Sequence, residues 1–451
     1  MTVSATPAPE LVARQQDRTA PETHAGDASN ATRTRAGRLE FLDTVRGVAA
    51  LVVALQHTSE QVWTQMLGWS HTWFRPGEFG VLAFFVCSGF IIPASLEKRG
   101  KLGEFWIGRF FRLWPLYLSA LLLVVIGYLV LPGLNLPGGK SPVAVFGVNV
   151  TMAQVFSGYP ILIGASWTLG YELVFYLLVS GLFALKVHRN SAAMATGFFA
   201  GALILGGTVP AFLLAHLSGP KAATVAGMLL LVAAPVLFVK GVPTKMRVVA
   251  AVTMTPAVLM LANRPHDMYF SLILIGTMFV GTVMYRMTTG DVSPRLAWSV
   301  FLGAMAAIGL AFRAYHIGYA EPVTGVTPRW WTEAVTFLGA YVFFGFMLLL
   351  RRREFPRVLV YLGTISYSVY LMHGVVLILM PHIGSALTTF LLWNAVTLVG
   401  ASLTFRFIEK PAIELGRRVV SFRRRRAEAK TVSAEPEPSE ARVLEDSRQR
   451  R

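Results

Sequence analysis

RGVAALVVALQH, residues 46–57, is an apolar run closed by an arginine at one end and a histidine at the other. Its surroundings decide what kind of segment it is. Apolar stretches of sixteen to twenty-four residues recur along the 451-residue chain, separated by short polar or Gly/Pro-rich turns. As helices, such stretches match a hydrocarbon layer of about 30 Å. They are continuously apolar and do not alternate, which argues against a transmembrane barrel. Composition agrees: 54% of the residues are apolar and 14% are charged, and mean hydropathy is +0.55. The expected fold is therefore an all-α, polytopic membrane helical bundle of about 10–12 transmembrane helices.

Spans are expected near 41–62, 79–96, 110–131, 166–186, 193–216, 222–240, 247–262, 268–286, 296–313, 333–350, 358–380 and 384–407. Residues 1–37 have no apolar run; they read as a disordered cytoplasmic tail and not a signal peptide, so the first span is expected to be retained. Residues 38–415 form the transmembrane domain. Residues 416–451 make a basic juxtamembrane segment and a disordered cytoplasmic tail. With the N-terminus inside, the inner loops carry sixteen Lys and Arg and the outer loops six. That bias places both termini in the cytoplasm.

Two segments depart from plain spanning helix. Residues 132–165, beginning PGLNLPGGKSP, are expected to form an outer loop with a re-entrant or interfacial part. Pro411 is expected to close the last helix at the inner surface, together with Arg406, Glu409 and Lys410. The net charge of +17 sits largely in loops and in the C-terminal tail, including RRVVSFRRRR at 417–426. Topology and anionic lipid headgroups account for it without nucleic acid. Cys87 is the only cysteine, and HExxH, CxxC, GxSxG and the phosphate-binding glycine loop are absent. No disulfide, structural metal or nucleotide-hydrolysing motif is expected.

On a helix, eleven residues complete three turns plus about 20°, so Arg46 and His57 share one face about 16 Å apart along the axis. Asp43 lies one turn before Arg46 and can pair with it. Taken singly, Arg46 reads equally as a positive-inside anchor and His57 as an interhelical hydrogen-bonding group. Ionisable groups within spans face cavities or partners, and the shared face favours a functional reading with a neutral imidazole as general base. FWIGRFFRLWP, 105–115, offers Arg109 and Arg112 to one patch at the inner surface, either as a phosphate fork or as part of an aromatic and arginine belt. In SWTLGYELVFY, 166–176, Glu172 lies at a depth similar to that of His57 and could orient it, or pair elsewhere. YLGTISYSVYLMHG, 361–374, adds His373 in the same outer band, in a structural or a catalytic role.

In order, LEFLDTVRGVAALVVALQH with its Arg-x10-His spacing, FFVCSGFII, the Arg-x2-Arg pair, SWTLGYELVFY, and SYSVYLMH with the following FIEKP resemble the integral-membrane acyltransferase-3 family. That family includes polysaccharide and macrolide O-acyltransferases, and the resemblance covers about 39–415, nearly all of the chain between its tails. It implies transfer of an acyl group from cytoplasmic acyl-CoA, of acetyl or another short chain, to a hydroxyl of a carbohydrate or glycosylated small molecule. The acyl-CoA is a co-substrate and no permanently bound cofactor is implied. His57 takes the family's essential histidine position, with Glu172 beside it. Arg46, Arg109 and Arg112 become the donor-binding set, and Asp43, Ser88, Trp167, Tyr171 and His373 are supporting residues. A multi-pass protein of a bacterial inner or plasma membrane is implied, with the oligomeric state open. Two departures stand out: Leu173 follows Glu172 where the family often has a second acid, and the family core is commonly drawn with ten spans. The competing reading is a secondary transporter or exporter using Arg46, His57 and Glu172 as an intramembrane relay, but no internal repeat supports it. A membrane acyltransferase of the other broad family, which modifies lipids and proteins, would leave the arginine pair unexplained.

Overall fold

A computed structural model describes residues 23–132, 134, 141–213, 240–316, 327 and 329–432, with side chains from Glu40 to Ala429. No strand occurs among these residues. Fifteen α-helices follow in order: α1 Thr23–Val62, α2 Thr64–Thr72, α3 Pro76–Arg99, α4 Leu102–Val130, α5 Pro142–Val150, α6 Trp167–Ala184, α7 Ser191–Leu205, α8 Thr244–Ala262, α9 Met268–Thr289, α10 Pro294–Tyr315, α11 Trp330–Leu349, α12 Arg357–Thr364, α13 Ser366–Leu379, α14 Ala386–Thr404 and α15 Lys410–Val432. Among the described residues, eight helices are long and apolar enough to cross a membrane, or nine if the bent pair α12–α13 counts as one span. The chain is a polytopic helical membrane protein.

The expected span at 222–240 lies outside the described residues except for Lys240, as does the end of the one at 193–216. The other expected spans coincide with helices, and the differences are local. The span at 358–380 is broken by a 68° bend between α12 and α13. The last helix does not close at Pro411. Phe405–Glu409 forms a π turn in which the Lys410 amide donates to the Phe405 carbonyl, and this wider turn accommodates a residue with no N–H, so the helix runs on to Val432. The basic tract at 417–426 is therefore helical.

The outer segment after Ser141 is ordered by Asn149, which is fully buried. Its Nδ2 donates to the carbonyls of Val145 (2.8 Å) and Pro160 (2.9 Å), and its Oδ1 accepts from the Leu162 amide at 3.0 Å. Tyr117 of α4 donates to the Asn149 carbonyl at 2.8 Å. One side chain thus satisfies the Pro160 carbonyl and the Leu162 amide, which lie outside any helix.

At the opposite face, Arg286 ties three elements together. It donates to the carbonyls of Arg189 (2.8 Å) and His188 (3.0 Å) and pairs with Glu97 of α3. Burial, with Arg286 and Arg189 nearby, pushes the His188 imidazole below its usual range.

The centre of the bundle is α3 against α9, with α1 and α11 also on α3. Small residues allow backbone to touch backbone there. A Cβ on Gly89 would overlap the Met278 carbonyl, and one on Gly281 would overlap the Val86 carbonyl. Thr282 Oγ1 closes the crossing by donating to the Gly89 carbonyl at 2.9 Å. Gly89→Val is expected to cost at least about 1–3 kcal/mol through overpacking. It should lower the thermal midpoint and the monodisperse yield in detergent, whereas Gly303→Ala, which meets nothing within 4 Å, should leave both near wild type.

Candidate active site

α1 presents one face to α13, and the two ionisable groups of the opening stretch meet different partners along it. At the outer level, His57 Nδ1 lies 3.1 Å from His373 Nε2, with the rings nearly parallel at 9° and their centroids 5.3 Å apart. His373 is 1% exposed, and its Nδ1 lies 3.3 Å from the Val369 carbonyl. A carbonyl only accepts, so Nδ1 of His373 carries the proton and its Nε2 is a lone pair. That lone pair accepts from His57 Nδ1–H, which leaves His57 Nε2 unprotonated. The tautomers are assigned from this bonding pattern.

At the inner level, Arg46 lines a cavity of about 110 Å³ with Arg109, Arg112 and Glu172. Ser88 and Cys87 of α3 and Tyr367 and Tyr370 of α13 complete the part of its wall that matters here. Arg46 is 3.9 Å from Asp43. The Arg109 guanidinium stands over the rings of Phe105 (5.4 Å) and Tyr176 (5.6 Å), which fixes it without a carboxylate. Tyr176 donates its hydroxyl proton to Glu172. Behind the cavity, buried Glu409 accepts from Ser368 Oγ at 2.7 Å. Arg109 and Arg112 also line a second cavity of about 350 Å³, which continues past them toward the end of α4 that carries Glu104.

Tyr370 joins the two levels. Its hydroxyl donates to the Ala165 carbonyl at 2.8 Å and lies 2.8 Å from Thr168 Oγ1, at the cavity wall. Its ring packs edge-on against His373, centroids 5.7 Å apart, and against Phe84 at the same separation. The lining of the cavity reaches Tyr370 and does not include His57.

Most of the residues singled out in the sequence therefore converge. Arg46, Arg109, Arg112, Glu172 and Ser88 line one cavity, with Asp43 beside Arg46; His57 and His373 form a pair one layer further out. Glu172 bonds to Tyr176 in the arginine cavity, and the hydrogen-bond partner of His57 is His373. Trp167 and Tyr171 lie outside the cavity lining. Tyr171 is fully buried, with its hydroxyl 2.7 Å from Ser271 Oγ, and Trp167 packs on it edge-to-face at 5.8 Å. Sequence reasoning passed over Tyr367 and Tyr370 and gave Glu409 only a helix-closing place. The tyrosines carried a readable signal, since 367, 370 and 373 recur every three residues on one helix face. Glu409 carried none, because its burial follows from the π turn.

Residues 39–408 match a protein family described as an acyltransferase domain, the acyltransferase-3 family. The chain is 29% identical over 150 residues to acyltransferase MdmB of Streptomyces mycarofaciens, a stretch covering 32% of this chain and 38% of that protein. It is 30% identical over 152 residues to a protein of Staphylococcus aureus (strain COL) provisionally named an O-acetyltransferase, covering 30% of this chain and 23% of that protein. The counterpart from strain N315 matches equally. The aligned parts span well under half the length of these relatives.

Proposed function

The chain belongs to the acyltransferase-3 family, and from that premise we propose that it is an O-acyltransferase of a bacterial cell membrane. It moves a short acyl group from cytoplasmic acyl-CoA to a hydroxyl of a carbohydrate or glycosylated small molecule. One observation carries this reading: an arginine-lined cavity ends at the tyrosine on which a hydrogen-bonded histidine pair is packed.

In this proposal Arg109 and Arg112 grip the donor's phosphates, since planar guanidinium forks suit phosphate oxygens and neither group has an ion-pair partner among the described residues. Arg46, partly balanced by Asp43, stands further along the cavity. The flexible arm of the donor follows the cavity toward Tyr370 and Thr168. His57 Nε2 removes the proton of the acceptor hydroxyl as its oxygen attacks the thioester carbon. The C–S bond breaks, the C–O ester bond forms, and the proton passes from His57 to the departing thiolate. His373 is the positioning residue. By accepting from Nδ1–H it holds His57 in the tautomer with Nε2 free and stabilises the imidazolium that forms. Glu172 balances the arginines and holds Tyr176, a role distinct from orienting His57 directly. A transient acyl-histidine would use the same Nε2 atom.

Incubation of membranes with radiolabelled acetyl-CoA and candidate acceptors tests the reading. Wild-type protein should transfer label to a hydroxyl acceptor, and movement of unmodified acceptor without any transfer would favour the transporter. His57→Ala should lose about 10² to 10⁴ in turnover, the usual worth of general-base assistance, with an unchanged elution profile. Normal turnover by this variant would remove His57 from the mechanism.

His373→Leu should lower kcat and shift the alkaline and acidic limbs of the pH–rate profile. His373→Asn, whose amide oxygen can still accept from Nδ1–H, should retain more activity than His373→Leu. Equal loss in both variants would assign His373 to packing alone. Arg109→Gln or Arg112→Gln should raise the KM for acyl-CoA about tenfold, the value of one charge-assisted hydrogen bond, with a smaller effect on kcat.

A further inference from the structure

Two arginines of the basic tract at 417–426, Arg417 and Arg424, line a cavity beside the site. The π turn carries α15 back along α4, and the two helices touch at Gly416, where a Cβ would lie 2.7 Å from Phe111 Cβ. This contact makes α15 one wall of the 350 Å³ cavity, with Arg417 and Arg424 facing Arg99, Arg109 and Arg112 across it. Arg417 and Arg424 are seven residues apart, about two turns, and so share a face.

Glu104 is the one acidic residue of the lining, and it is already engaged. Arg424 Nε lies 2.9 and 3.0 Å from its two oxygens, and Arg424 Nη2 also donates to it. Arg99 donates to the Glu104 backbone carbonyl at 2.7 Å and lies over Gly108, where a Cβ would overlap it. Arg109, Arg112 and Arg417 have no carboxylate within ion-pair distance among the described residues. The cavity thus holds three guanidinium groups with no carboxylate of the described residues within ion-pair distance. Its volume lies within the range of small-molecule and cofactor sites, roughly 300–1,000 Å³.

We propose that α15 completes the donor site and that Arg417 binds the 3′-phosphate of the donor's adenosine. Arg424 and Glu104 act as the clamp that holds α15 against α4. This rests on the acyl-CoA reading above and adds to it. Arg109 and Arg112, at the junction of the two cavities, take the diphosphate, from which the arm enters the inner cavity. The adenosine end then lies in the 350 Å³ cavity against α15. The ligand chemistry is a terminal phosphate monoester, which an anionic lipid headgroup could imitate.

The test uses full-length protein in nanodiscs, with acetyl-CoA and 3′-dephospho-acetyl-CoA as donors, in neutral phosphatidylcholine and in discs containing phosphatidylglycerol. Wild-type protein should have a KM about tenfold lower for acetyl-CoA than for the dephospho donor, as one charge-assisted contact implies. Arg417→Gln should bring the two values together in both lipids, and Arg417→Lys should restore part of the difference. Glu104→Gln should raise the KM for acetyl-CoA in wild-type protein and add little in the Arg417→Gln background, because the clamp acts through α15.

An equal rise for both donors in Arg417→Gln, or an effect confined to anionic discs, would overturn the proposal in favour of a packing or a lipid-binding role. If wild-type protein uses no acyl-CoA at all, the donor reading is what fails. Direct binding of adenosine 3′,5′-bisphosphate then decides the present point: weaker binding by Arg417→Gln supports it, and equal binding overturns it.

Discussion

The arrangement depends on how closely α1 can pass the bent pair α12–α13. Gly47 lies next to Arg46 in the opening stretch, and a Cβ there would sit 2.7 Å from both the Gly363 amide nitrogen and the Leu359 carbonyl. Gly363 in turn nests on the Asp43 carbonyl with no room for a side chain. Two glycines therefore set the separation of the helices, and every side chain on the facing surfaces inherits it. With α1 pinned at this level, Arg46 is held at the inner cavity, while His57, three turns further out, meets His373. A wider crossing would part the histidines, whose only shared bond is 3.1 Å long.

Charge in such an interior has to be answered locally, and the bundle does so in layers. Asp43 approaches Arg46, aromatic rings hold Arg109, Tyr176 occupies Glu172, and Ser368 occupies Glu409. None of these contacts is a tight bidentate ion pair. The guanidinium groups of the inner cavity are thus positioned but not neutralised, a state that favours an anionic ligand over self-pairing. Arg75 at the outer side behaves differently. It contacts both Glu78 and Glu333 at 2.7 and 2.5 Å, so it is spent on structure. The same residue type serves packing at one depth and is left available at another.

Much of this was legible in the sequence. Continuous apolar runs of spanning length pointed to helices, because lipid admits only helices and closed barrels and a barrel strand would alternate. The spacing of Arg46 and His57, and of Arg109 and Arg112, grouped side chains by helix face, because periodicity is local information. What periodicity does not carry is which face meets which helix. Glu172 was placed beside His57 by depth alone, and rotation about α6 turns it to the arginines instead. The continuation of the last helix was hidden for a related reason. Pro411 forbids an ordinary α turn, and only the π turn before it shows how the chain carries on.

That continuation bears on why binding and chemistry can be kept apart. A helix ending at Pro411 would leave the cavity beside Arg109 and Arg112 open along one side. With α15 in place, the cavity near the end of α4 is walled on that side, and Arg109 and Arg112 join it to the smaller cavity, a lane lined by Ile91 and Phe84 as well as by Arg46, Glu172 and Thr168. Tyr370 stands at the end of that lane with its hydroxyl on Ala165 and its ring on His373. In the proposed reaction the donor approaches one side of this ring while the base lies on the other. His57 is not among the residues that line the arginine cavity. Under that proposal, an acceptor hydroxyl arriving from the histidine side would meet the thioester only with the arm fully inserted, which would couple proton removal to donor occupancy and limit wasteful hydrolysis.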